Sequence, residues 1–208
     1  MVCYVIRHGE IPSNRSSIYP GTRPESLTTR GREQAMVLGE RLRNQGIRQI
    51  YTSPIKRARE TAEILGNAVG APIHVENDLR EMDLGPWEGL SEDQVGREFP
   101  REWEIWNRAP ATLRLPGREP LQQVQTRALS MIRNLCLRHF GATIAAVTHV
   151  SVVRCVVLYA VGKDLNDYRS LTVENASAYG FEAAITNSGR GLRLRHLQTL
   201  QDDSDKSF

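Results

Sequence analysis

The sequence predicts an α/β fold, a three-layer α/β/α sandwich with a mostly parallel central sheet. Three observations carry this. Two short runs, Val2 to Ile6 and Thr143 to Thr148, are apolar almost without a break, as in strands buried on both faces. Each run ends in a histidine, His8 and His149. The segments around them repeat apolar residues at helical spacing. In open α/β sheets, ligands bind outside the carboxyl ends of the strands. The two histidines therefore mark one functional edge.

Taken in order, the first strand delivers Arg7-His8-Gly9-Glu10. His8 reads as a nucleophile and Arg7 as an anion clamp. Gly9 lets the backbone turn sharply and approach a ligand. Ile11 to Leu27 is rich in Pro, Ser, Gly and Arg and reads as a functional loop carrying Asn14, Arg15, Gly21 and Arg23. Thr28 or Thr29 caps a helix whose core face is Ala35, Leu38 and Leu42, with its exit at Gly46. Gln49 to Thr52 is a second strand. Ser53 reads as the next N-cap and Pro54 as the first helical residue. Lys56, Arg57 and Arg59 then crowd a helix amino end, where cations oppose the macrodipole unless an anion is bound. Arg57 is assigned to that anion, and Lys56 and Arg59 to solvent.

Ile73-His74-Val75 reads as a short strand with a structural histidine. Leu79 to Gly89 combines acids, an aromatic and two glycines, as a loop closing over a site would. Ser91 to Asn107 is irregularly helical, and Trp103 and Trp106 share a face. Ala109 to Pro120 is a linker carrying Arg114 and Arg118. The helix from Pro120 to His139 shows Val124, Ala128, Met131 and Leu135 on its core side. Ser151 to Val161 is helical, and Leu192 to Leu197 is a last strand. The expected organisation is one domain over 1–208, with about 89–120 as a partial lid and about 200–208 as a disordered tail.

The 208 residues, 40% hydrophobic, suffice for a single sizeable core. The net charge of +3 suits an acidic small molecule and is too weak to argue for nucleic acid. Three separated cysteines in apolar surroundings read as reduced thiols of a cytoplasmic protein. No spacing resembles a zinc site, and the five histidines are scattered. The longest late apolar run, Val152 to Val161, is broken by Arg154 and too short to span a membrane.

Five blocks in order carry a resemblance. They are Arg7-His8-Gly9-Glu10 with Asn14, Leu27-Thr28 through Gly31 to Gln34-Ala35, and Tyr51-Thr52-Ser53-Pro54 through Arg57-Ala58 to Thr61-Ala62. Leu79-x-Glu81 through Gly85 to Trp87-Glu88-Gly89 follows, then Val147-Thr148-His149 with Glu174-Asn175-Ala176-Ser177. Over roughly Val2 to Glu182 the chain resembles the histidine phosphatase family, the phosphoglycerate-mutase-like enzymes. The resemblance implies that His8 forms a phosphohistidine, with Arg7, Arg57 and His149 around the phosphoryl oxygens. It implies that Asn14, Gly21, Arg23 and Val150 contribute to phosphate or substrate binding. Glu81 would be the general acid, and no metal or cofactor is needed. The expected substrate is a small phosphomonoester, with phosphoserine, a sugar-acid phosphate and α-ribazole phosphate all open.

Departures from the family pattern refine this. Val150-Ser151 stands where glycines often follow the second histidine, and Tyr19-Pro20-Gly21 with Pro24 alters the first loop. Leu84 precedes Gly85, and no Arg-Arg pair occurs between Trp87 and His149. Hydrolysis is therefore expected over the alternatives, a cofactor-dependent phosphoglycerate mutase or a non-catalytic phosphate-binding module. Trp87, Trp103, Trp106, Arg23 and Arg114 are the candidates for the leaving-group pocket. Oligomeric state stays open, a homodimer included.

Overall fold

A computed structural model describes residues 1–186 and 191–201. From the amino end the chain runs β1 (Val2–Arg7), α1 (Pro12–Arg15), α2 (Thr29–Leu42), β2 (Ile47–Thr52), α3 (Lys56–Val69) and β3 (Ile73–Val75). It continues through α4 (Glu92–Glu98), α5 (Pro100–Arg108), α6 (Leu121–Arg138), β4 (Thr143–Thr148), α7 (Val150–Ala160), β5 (Ala178–Ile185) and β6 (Leu192–Leu200). The strands form one sheet in the order β3-β2-β4-β1-β5-β6. The pairs β3–β2, β2–β4 and β4–β1 are parallel, while β5 runs antiparallel to β1 and β6.

Period-2 alternation of side chains makes the three layers. On β1, Tyr4 and Ile6 pack with Leu38, Leu42, Ala58 and Leu65 of α2 and α3. Cys3 and Val5 face the other way and join Val124, Met131, Val152 and Val156 of α6 and α7. β4 divides likewise, with Ala145 and Val147 on the first face and Ile144 and Ala146 on the second. Both faces of the central strands are thus covered, which is why their sequences read as unbroken apolar runs.

The register fixes the functional edge. Arg7 lies opposite Thr148, and Thr52 opposite Val147. One residue further on, His8 N–H donates to the Thr148 carbonyl at 3.0 Å and Ser53 N–H to the Val147 carbonyl at 3.0 Å. His8, Ser53 and His149 therefore leave three neighbouring strands side by side.

Several expectations change. β5 was not anticipated, because its Ala178, Gly180, Ala183 and Ala184 dilute the bulky Tyr179, Phe181 and Ile185 that carry a strand signal. Gly180 is there for a reason: a Cβ would sit 3.0 Å from the Tyr4 ring. Ser53 is not the N-cap of α3, which starts at Lys56 with Ile55 as its cap. The loop after β1 contains the short helix α1. The room at Gly9 is taken by the chain itself, since a Cβ there would collide with the Gly31 carbonyl oxygen. Residues 91–107 form two helices, not one, because Pro100 disfavours helical backbone at Phe99. Val95, Trp106, Ala111 and Leu113 of the expected lid are all buried in the core cluster shared with α6 and α7. Of the expected tail, Leu200 belongs to β6, and 202–208 lie outside the described residues.

Candidate active site

His8 is 2% exposed and His149 0%. Their ring centroids are 5.2 Å apart at an interplanar angle of 60°. Nδ1 of His8 is 2.7 Å from the carbonyl oxygen of its own neighbour Gly9. A carbonyl only accepts, so Nδ1 carries the proton and Nε2 presents a lone pair. Burial, then the guanidiniums of Arg57 and Arg7, hold the His8 pKa well below the ordinary histidine range. Burial, then Arg57, His8 and Arg127, depress His149 in the same direction. Both rings are neutral at physiological pH.

Arg57, in the first turn of α3, is fully buried. Its Nε donates to His8 Nε2 at 3.1 Å, its Nη1 to the Arg23 carbonyl at 3.0 Å and its Nη2 to the Gly21 carbonyl at 2.7 Å. Arg7 donates from Nη1 to the Val173 carbonyl at 2.6 Å, and burial lowers its pKa to about 10. It stays charged. Arg7 Nε and His149 Nδ1 are sealed from solvent with no acceptor among the described residues. Buried donors are rarely left unpaired without a functional reason. Asn14 Oδ1 is taken up by the N–H of Ile11 at 3.1 Å and the amide of Asn175 at 3.0 Å, which leaves its own NH2 as the free end. Asn175 also donates to the His8 carbonyl at 3.1 Å and so ties the loop to the nucleophile's backbone.

Of these groups Arg7, His8 and Asn14 line a cleft of about 90 Å³, together with Gly21, Glu81 and Val150, while Arg57 and His149 reach it through their contacts with His8. Glu81 is 4% exposed, and its Oε1 accepts from Met82 N–H at 2.8 Å. Tyr19, Trp106, Ser151, Arg154, Tyr168 and Arg169 also line it. No group of three or more His, Cys, Asp or Glu is arranged to hold a metal ion among the described residues.

Two sequence candidates lie elsewhere. The Arg23 side chain is 56% exposed and pairs with Glu88 at 3.8 Å, so only its carbonyl serves the site, through Arg57. Arg114 donates to the Ala111 and Leu113 carbonyls beside a separate open depression with Lys163 and Asp164. Its backbone partners hold it there. Trp87 is wholly buried and Trp103 packs against its edge, so of the three tryptophans it is Trp106 that reaches the cleft. Sequence reasoning missed Ser53 as a partner of His149, and it missed Arg154 and Arg169 in the cleft wall. Arg154 did carry a signal, as the one charge in the apolar run of α7.

A family model described as "Histidine phosphatase superfamily (branch 1)" matches residues 3–194. The chain belongs to the histidine phosphatase superfamily. It is 29% identical over 173 residues to phosphoserine phosphatase 1 of Hydrogenobacter thermophilus, covering 83% of this chain and 82% of that protein. It is 32% identical over 178 residues to a protein of Salmonella paratyphi B named "Probable phosphoglycerate mutase GpmB", covering 84% and 81%. Among solved structures, Bacillus stearothermophilus YhfR superimposes with a TM-score of 0.83 at 33% identity over 88% of this chain and 91% of that one. In this histidine phosphatase the two neutral imidazoles meet at the carboxyl edge of the parallel strands β1 and β4. No helix among the described residues is long and apolar enough to cross a membrane.

Proposed function

We propose that this histidine phosphatase hydrolyses a small phosphomonoester through a phosphohistidine formed on His8. The observation that carries this is the ring of donors around one lone pair. His8 Nε2 is presented by the Gly9 carbonyl and faced by Arg57, while Arg7 Nε and His149 Nδ1 lack acceptors among the described residues. A tetrahedral oxyanion at Nε2 satisfies all of them at once.

In the first step the Nε2 lone pair attacks phosphorus as the bond to the ester oxygen breaks. The departing oxygen takes a proton from Glu81. Arg7, Arg57, Asn14 and His149 hold the equatorial oxygens as charge shifts onto them. In the second step water attacks phosphorus, the P–N bond breaks and its electron pair returns to Nε2. The water proton goes to Glu81, which restores the acid. Cationic side chains supply the charge stabilisation that a metal ion supplies in other phosphoryl-transfer enzymes, so metal independence is part of this reading. The buried, reduced cysteines are consistent with a cytoplasmic setting.

The test is His8→Ala. Removing the nucleophile should lower phosphate release by at least ~10³-fold and abolish the acid-labile phosphoenzyme, with the circular dichroism spectrum kept. Turnover surviving in that variant would end the assignment. A mutase would need a bisphosphorylated primer and release little phosphate. Steady release without primer supports hydrolysis.

A further inference from the structure

Ser151 and Tyr168 line the cleft that holds His8, and they reach it from different parts of the chain. Ser151 lies in the first turn of α7, two residues after His149. Tyr168 lies in a short 3-10 helix, Leu165–Ser170. Both are buried, at 3% and 2% exposure. Their hydroxyl oxygens are 2.8 Å apart, and neither has another partner among the described residues.

Counting protons leaves one over. Each hydroxyl carries one. Burial raises the Tyr168 pKa, so the phenol keeps its proton at neutral pH. One of the two protons forms the bond between the pair, and the other has no acceptor among the described residues. Buried hydroxyl protons are rarely left so without a functional reason. The pair is also held in place. The Trp106 ring centroid lies 5.1 Å from that of Tyr168, and Arg154 Cζ lies 4.9 Å over the Tyr168 ring. Arg154 is in turn anchored, its Nε donating to the Leu171 carbonyl at 2.8 Å. The unused proton therefore belongs to a fixed group in the cleft wall.

Its use follows from what the cleft must hold. Arg7, Arg57, Asn14 and His149 already supply donors to the phosphoryl oxygens, and Glu81 supplies the proton for the departing oxygen. A further donor in the same cleft serves the remainder of the ester. The pair is uncharged, and a substrate hydroxyl, which can both accept and donate, is its natural complement. The chain is also distinctive here. Val150-Ser151 stands where the family pattern often has glycines, and glycine has no side chain to offer a proton.

We infer that Ser151, oriented by Tyr168, is a specificity-determining residue that selects phosphomonoesters whose leaving group carries a free hydroxyl, the polyol phosphates. This rests on the hydrolase reading above.

Propyl phosphate and glycerol 1-phosphate test it, because both leaving groups have three carbons and only the second has free hydroxyls. The wild-type chain should favour glycerol 1-phosphate by at least about tenfold in kcat/KM, since a site built to bind a hydroxyl rejects the analogue that lacks it. In Ser151→Ala that preference should shrink to about threefold or less, through a raised KM for glycerol 1-phosphate. Tyr168→Phe keeps the ring and removes only the anchoring hydroxyl. It should lower the preference in the same direction, and the double variant should lose no more than Ser151→Ala alone, as for two groups that act as a unit. Where Ser151→Ala fails to fold by circular dichroism, Tyr168→Phe decides. Equal kcat/KM for the two esters in the wild-type chain would overturn the selection and leave the hydrolase reading intact. Equal proportional losses on both esters in the variants would make the pair structural and overturn it too. Failure of the wild-type chain to release phosphate from either ester or from p-nitrophenyl phosphate would instead bring down the hydrolase reading, and the selection with it.

Discussion

The Ser53 hydroxyl lies 2.8 Å from Nε2 of His149, while Nδ1 of the same ring is sealed without an acceptor among the described residues. The two facts belong together. With Ser53 donating to Nε2, the neutral ring carries its proton on Nδ1, and in the proposed mechanism that N–H donates to a phosphoryl oxygen. Ser53 also accepts from Ile55 N–H at 3.2 Å, so its rotamer is held by the start of α3.

Ser53→Ala should therefore lower kcat by roughly tenfold to a hundredfold, from about 1–3 kcal/mol for an acceptor left unpaired in the interior. Nitrogen-15 shifts of His149 should report a mixture of tautomers in the variant and one tautomer in the wild-type chain. A single unchanged tautomer with normal kcat would show that Ser53 does not orient the ring.

Both site histidines are buried neutral, and this gives stability a direction in pH. Burial and nearby guanidiniums depress the pKa of each in the folded chain. Below the free value of about 6.5 the unfolded chain binds more protons than the folded one. Stability then rises with pH, is fully present above that value, and is lost as pH falls through the folded values. Each histidine contributes a slope of up to about 1.4 kcal/mol per pH unit in that window. Urea unfolding between pH 7.5 and 5 should give a steeper decline for the wild-type chain than for His8→Gln. Parallel declines would mean that His8 does not titrate abnormally.

Much of this site was legible because it depends on the ends of two strands. Unbroken apolar runs in β1 and β4 could only be buried on both faces, and a parallel pair of them puts His8 beside His149. Arg57 was legible from a charge that a helix start does not tolerate without an anion. The rest depended on contacts that leave no local mark. Ser53 and Pro54 look like a helix cap and first turn, yet the chain spends Ser53 on a histidine 96 residues away. Arg23 and Arg114 carry the right charge, but neighbouring groups, Glu88 for one and backbone carbonyls for the other, hold them outside the cleft. Arg118 looked like an ordinary linker residue, and only the folding of Trp87 and Trp106 onto its guanidinium shows it to be buried.

Gly21 and Arg23 should behave oppositely to what their charge suggests. Gly21 has φ +52°, and a Cβ there would collide with the Glu88 carboxylate that accepts from Thr22 N–H at 3.1 Å. Gly21→Ala should cost about 1–2 kcal/mol of stability from left-handed backbone alone. It should also lower kcat/KM, because the Gly21 carbonyl is an acceptor for Arg57. Arg23→Ala removes an exposed ion pair, worth about 0–1 kcal/mol, and an exposed hydrogen bond to the Glu88 carbonyl, and leaves the Arg23 carbonyl in place. Thermal melts and kcat/KM on p-nitrophenyl phosphate would rank the two. A larger catalytic loss in Arg23→Ala would put that guanidinium in contact with the substrate.

Glu81 is held in the cleft by its own backbone, with Oε1 on Met82 N–H, and it shares that cleft with His8. As general acid it matters most when the leaving oxygen is strongly basic. Glu81→Gln keeps the shape and removes the transferable proton. The loss in kcat/KM should be on the order of 10²–10⁴-fold with an alkyl phosphate. With p-nitrophenyl phosphate it should be much smaller, because p-nitrophenolate departs without being protonated. The second step gives an independent check. If Glu81 also takes the proton from the attacking water, the variant should accumulate phosphohistidine on p-nitrophenyl phosphate and show a burst of nitrophenol before a slow steady state. Equal losses on both esters, with no burst, would place the acid elsewhere in the cleft.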